Sequence, residues 1–225
     1  MELWRKLLAE FLGTALLLAC VVGSGIMGAD LARGNDAIAL LANAGATAAI
    51  LYVLIVVLGP ISGAHFNPAV TLVLRLRGEM RTREALAYIG VQVVAAVGGV
   101  LLAHAMFGLP LLQPGTHARS GGAQWLSEAV ATFGLVMAIL LCMRHRPPTV
   151  PALVAGYIFA AYWFTASTSF ANPAVTVARS LTRTFAGIRP GDVGGFVLAE
   201  CVGAIAALLF AALLVPATRH GNDRI

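Results

Sequence analysis

Phe66-Asn67-Pro68-Ala69-Val70-Thr71 and Ala171-Asn172-Pro173-Ala174-Val175-Thr176 carry the same five residues, Asn-Pro-Ala-Val-Thr, at two widely separated places in the chain. Asparagine is a strong helix N-cap and proline is favoured at the first helical position, so each box reads as the start of a helix. Neither helix has room to cross a bilayer, because Arg75 and Arg77 close the first and Arg179 and Arg183 the second. Both read as re-entrant half-helices. The stretch before the first box, Gly59-Pro60-Ile61-Ser62-Gly63-Ala64-His65, has the glycine and proline of irregular backbone. Such backbone is tolerated at membrane depth only where protein covers it or a wet path runs beside it.

Outward from the boxes the chain is apolar. Of its 225 residues 59% are apolar and 11% charged, and its mean hydropathy is +0.86. That is too little charge to cover the surface of a water-soluble domain, so the class is integral membrane protein. A bilayer-crossing helix needs about 20 mostly apolar residues. Six runs qualify: Leu7–Met27, Ile38–Leu58, Glu84–Phe107, Trp125–Met143, Pro151–Ser167 and Val193–Val215. The first follows Trp4-Arg5-Lys6 but has no convincing small-residue cleavage site, and it reads as a retained span. The net charge of +5 sits at the ends of the runs, where it sets topology rather than attracting nucleic acid. With both ends inside, the inner loops and tails hold Arg5, Lys6, Arg75, Arg77, Arg81, Arg83, Arg144, Arg146, Arg219 and Arg224. The outer loops hold Arg33, Arg119, Arg179, Arg183 and Arg189, so both termini are expected in the cytoplasm.

The boxes belong to a longer internal echo. Ala9-Glu10-Phe11-Leu12-Gly13-Thr14 in the first span matches Ser127-Glu128-Ala129-Val130-Ala131-Thr132 in the fourth. Three spans per repeat, about 1–120 and 121–225 of a single 225-residue domain, start the second repeat on the opposite side of the membrane. The half-helices then meet N-terminus to N-terminus near the midplane. Each end carries about half a positive charge, and together they repel cations, hydronium included. The Asn67 and Asn172 amides can cap with oxygen and still offer N–H groups to a passing hydroxyl or water oxygen. Such a site suits small neutral solutes.

These features resemble the aquaporin, or major intrinsic protein, family, and Ser62 to Leu72 is a close match to its first box. The resemblance implies an all-α channel of six transmembrane helices and two re-entrant half-helices in an inverted repeat. It implies a homotetramer in the inner membrane with one pore per subunit, formed around Asn67, Pro68, Ala69, Asn172, Pro173 and Ala174. Glu10 and Glu128 resemble the family's buried structural glutamates; independently, an intramembrane carboxylate needs a partner, and the loop N–H groups are candidates. His65 also matches and is expected in the inner vestibule, as a static hydrogen-bonding residue or a pH-sensing gate.

One departure bears on substrate. Most members carry arginine directly after the second box, where this chain has Val175. By alignment the other filter positions are Thr47, Ser169 and a fifth-span residue, which is Ala160 by an ungapped count or Trp163 if Gly156 is matched to the family's helix glycine. Without the arginine the constriction should be wider or less polar, unless Trp163 fills it. The loop Phe164 to Asn172 with valine after the box looks like a bacterial aquaglyceroporin-like subgroup linked to arsenic handling. Glycerol-like polyols and the neutral arsenous and antimonous acids, with water, are then the expected solutes, and a water-selective channel is the alternative. Two roles are open to Arg179: overhanging the pore mouth in place of the missing cation, or bonding loop carbonyls.

No Gly-x-Ser-x-Gly or His-Glu-x-x-His pattern occurs, so no enzyme is expected. Cys20, Cys142 and Cys201 lack metal-ligand spacing and read as packing residues, leaving no metal or cofactor. An ion-coupled transporter would use Glu10, Glu128 or Glu200, but the facing helix ends are hostile to cations.

Overall fold

The computed structural model describes residues 1–214. Val215, Arg219 and Arg224, named above for the last span and the charge of the tail, lie outside them. The described residues form eight α-helices and no strand: α1 (Leu3–Ala32), α2 (Asp36–Ser62), α3 (Pro68–Leu76), α4 (Thr82–Met106), α5 (Gly122–His145), α6 (Val150–Phe164), α7 (Pro173–Arg179) and α8 (Val193–Leu214).

Local signals set the boundaries. Asn35 caps α2, its side chain accepting from the Ile38 N–H at 3.2 Å. Asn67 and Asn172 cap the two short helices, each followed by proline at the first helical position. α1 runs several residues past its apolar stretch at both ends, stopping only where Arg33 turns left-handed at φ 48°. α1, α2, α4, α5 and the stretch ending in α8 are long and apolar enough to cross a membrane. α6 has 15 residues, about 22 Å of helix, and falls short of the expected Pro151–Ser167. It stops because Thr165 goes extended at φ −109°, ψ 133°, after which Thr168 turns left-handed.

Each long helix has an inner face against protein and an outer one bare of it. On α8, Phe196, Glu200, Gly203 and Ala207 are buried, while Leu198, Leu209 and Leu213 stand more than 60% exposed. So much exposed aliphatic surface suits lipid, not water. Helix α1 packs on α2 and α4, and α5 on α6 and α8; α2 meets α6, α3 reaches α8, and α7 reaches α4. Each short helix thus packs between a helix of its own half and one of the other, α3 between α4 and α8 and α7 between α8 and α4.

Candidate channel site

The loops leading into the short helices are built alike. Ala64 and Phe66, three and one residues before Asn67, have φ of 50° and 47°; Ser169 and Ala171, in the same places before Asn172, have 51° and 49°. Left-handed backbone in non-glycine residues costs of order 1–2 kcal/mol each, and it persists where surrounding bonds hold it. Those bonds come from the two glutamates. Glu10 accepts from the His65 N–H at 2.9 Å and the Phe66 N–H at 2.8 Å. Glu128 accepts from the Phe170 N–H at 2.9 Å and the Ala171 N–H at 2.8 Å. Both carboxylates are fully buried.

Turning these N–H groups toward glutamate leaves carbonyls for the asparagines. Asn67 Nδ2 donates to the Ala171 carbonyl at 2.7 Å, and Asn172 Nδ2 donates to the Phe66 carbonyl at 2.8 Å. Asn67 Oδ1 accepts from the Ala69 N–H at 2.8 Å. Asn172 Oδ1 accepts from those of Ala174 at 3.0 Å and Val175 at 3.4 Å. An amide nitrogen has two protons, so each asparagine keeps one N–H free of these bonds. Both side chains border one cavity of about 360 Å³.

That cavity extends from Lys6, Glu79 and Glu84 at one end, past His65 and the asparagines, to Thr47, Val175 and Arg179. Lys6 and Glu84 pair at 2.8 Å across α1 and α4. The His65 ring lies 5.1 Å from that of Tyr88, with Nδ1 3.0 Å from the Thr71 hydroxyl.

At the far end Thr47, Ser169, Val175 and Arg179 all line the cavity and are buried. The fifth-span expectation is corrected. Ala160 and Trp163 are exposed and do not border the cavity, whereas Ile158 and Tyr162 do. Residues 158 and 162 are four apart and share a helix face, from which position 163 is turned by about 100°. The Tyr162 hydroxyl lies 3.3 Å from that of Thr47, and the buried Ser169 hydroxyl has no partner among the described residues. Arg179 is held at the cavity wall. Its Nε donates to the Ala186 carbonyl, and its guanidinium lies 3.4 Å from the Phe170 ring centroid at the cavity wall.

A profile described as "Major intrinsic protein" matches residues 1–166. The chain belongs to the major intrinsic protein family. It is 59% identical over 217 residues to "Aquaglyceroporin AqpS" of Rhizobium meliloti (strain 1021), covering 96% of this chain and 93% of that one. It is 28% identical to "Lens fiber major intrinsic protein" of Lithobates pipiens, covering 99% of this chain and 86% of that one. Among solved structures, the aquaglyceroporin from Plasmodium falciparum superposes with a TM-score of 0.76, covering 96% of this chain and 98% of that one at 16% identity, a likeness of fold. This major intrinsic protein is therefore a multi-pass integral membrane channel for small solutes, in a family of channels rather than enzymes.

Some site residues escaped the sequence reading. Tyr162 was hidden by the unknown end of α6. Arg119 counted only as an outer basic residue, yet its Nη1 donates to the Ser167 carbonyl at 2.9 Å and its Nε to the Gly187 carbonyl at 3.0 Å, tying the second loop down. Gln92, a buried amide in an apolar span, donates to Glu10 Oε2 at 2.8 Å. Its polarity inside such a span was the available signal.

Proposed function

We propose that the chain is a passive channel for uncharged, hydrogen-bonding solutes larger than water: glycerol-like polyols and the neutral arsenous and antimonous acids, with water passing too. The observation carrying this reading is the cavity's far end. There Thr47, Tyr162, Ser169 and Val175 supply three hydroxyls and an aliphatic side chain. Hydroxyls can exchange bonds with a polyhydroxy solute one for one, and valine leaves space that an arginine would occupy. The likeness to a protein named as an aquaglyceroporin agrees. In this reading Asn67, Pro68, Ala69, Asn172, Pro173 and Ala174 form the midpoint, where two helix N-termini exclude cations. His65 lines the vestibule, and Arg179 is a fixed cation beside the narrow region.

We read the 225 residues as one channel domain of two inverted halves, assembled as a homotetramer in the inner membrane with cytoplasmic termini. The test is stopped-flow light scattering on reconstituted liposomes under sucrose and glycerol gradients, with an arsenic assay in parallel. Rapid glycerol and arsenous acid entry that Val175→Arg abolishes is expected. Fast water flux with neither solute entering would overturn the solute class and leave a water-selective channel.

A further inference from the structure

Glu200 lies on α8, fully buried, beside the second box. Its Oε1 accepts from the Asn172 N–H at 3.1 Å and from the Thr176 hydroxyl at 2.6 Å. Its Oε2 has no donor among the described residues. Glu128 stands beside it: the two carboxylates take the N–H groups of three consecutive residues, Phe170 and Ala171 on Glu128 and Asn172 on Glu200, where α5 packs on α8. Both Glu128 oxygens already accept loop N–H groups, from Phe170 and Ala171. A carboxylate facing a carboxylate in a buried site is untenable unless something positive lies between them.

The first half supplies the pattern for what that is. Gln92 on α4 contacts the hydroxyl of Thr71, the box threonine equivalent to Thr176. Its Nε2–H also donates to Glu10, the counterpart of Glu128. Glu200 occupies Gln92's place with an oxygen where the amide has its donor nitrogen. We propose that Glu128 and Glu200 hold one proton between them, carried on Glu200 Oε2 and donated to Glu128. The proton is a resident ligand of the second re-entrant loop, taken from water as the chain folds. It makes Glu200 an acid with the donor geometry of Gln92, and the pair carries one negative charge rather than two.

Other charged and titratable groups act on the pair from each packed element: Arg179 from α7, Arg119 from the loop before α5, Tyr157 from α6 and Cys201 from α8. Among the described residues, neither arginine forms an ion pair with either carboxylate. The stabilisation is present while the proton is bound and is lost as pH rises far enough to remove it.

The test is infrared spectroscopy of the folded channel in lipid at neutral pH. One protonated carboxylic C=O band per chain, shifting in D2O and absent from Glu200→Gln, is expected. Glu200→Gln should also melt at nearly the wild-type temperature and lose the wild type's fall in stability at alkaline pH. A folded wild type without the acid band overturns the proposal, whether or not the variant folds. So does a melting temperature that rises with sodium, which would place a cation between two ionised carboxylates.

Discussion

The two halves spend the same number of donors differently. In the first, one carboxylate, Glu10, collects four: the Ser62 hydroxyl, the His65 and Phe66 N–H groups and the Gln92 amide. In the second, four donors are divided between two carboxylates, with Phe170 and Ala171 on Glu128 and Asn172 and Thr176 on Glu200. The loops they hold nevertheless share the same left-handed positions and the same exchange of asparagine bonds. The geometry presented to the cavity is the common product, and the scaffold behind it can vary if it still fixes those backbone N–H groups.

Each half also has a tight helix crossing at a glycine, the two displaced by about one turn relative to Glu10 and Glu128. A Cβ at Gly99 would sit 2.3 Å from the Ala15 carbonyl oxygen, where α4 crosses α1. A Cβ at Gly203 would sit 2.2 Å from that of Ala129, where α8 crosses α5. Backbone cannot yield as a side-chain tip can, so Gly99→Ala and Gly203→Ala should each cost about 3 kcal/mol. Thermal melting in detergent checks this, and a tolerated Gly203→Ala would break the likeness. Behind the boxes the halves differ in volume. The Phe66 ring would lie 2.0 Å from a Cβ at Gly13, whereas Ala171, in the place of Phe66, packs in the core with Ala131, in the place of Gly13. Gly13→Ala should cost about 2 kcal/mol, and Phe66→Ala should recover part of it. Independent effects in the double-mutant cycle would disprove the exchange of volume.

Carboxylate substitution sharpens the comparison at a smaller scale. Glu10→Gln points an amide donor at groups that are themselves donors, and a loss of about 2 kcal/mol is expected. Glu200→Gln supplies a donor where one is wanted and should lose much less. Melting curves at neutral pH rank the two, and equal losses would mean that the halves are not chemically distinct.

How much of this was legible in the sequence depended on how local the signal was. Asn67-Pro68 and Asn172-Pro173 announce helix starts within two residues, so the half-helices could be read directly. The roles expected for Glu10 and Glu128 followed from the physics of an intramembrane charge. Arg119 bonds carbonyls some fifty and seventy positions away, and no neighbouring residue hints at that. The fifth-span position failed for a geometric reason. Its residue depends on where α6 ends and how many residues the following loop consumes, and an error of one residue swings a side chain by about 100°.

That single-residue difference gives the smallest effect on stability. The Tyr162 hydroxyl approaches Thr47 at 3.3 Å, a long contact for two hydroxyls. Tyr162→Phe should therefore change stability by about 0.5 kcal/mol. Its effect on flux should be larger than that figure suggests. A solute passing this level must replace the contact between Tyr162 and Thr47 with bonds of its own, and phenylalanine leaves one hydroxyl fewer to receive it. Glycerol and arsenous acid entry should fall relative to water in Tyr162→Phe, while Trp163→Phe, altering a side chain outside the cavity, leaves the ratio unchanged. If Trp163→Phe moves the ratio and Tyr162→Phe does not, α6 presents a different face to the solute path in the membrane.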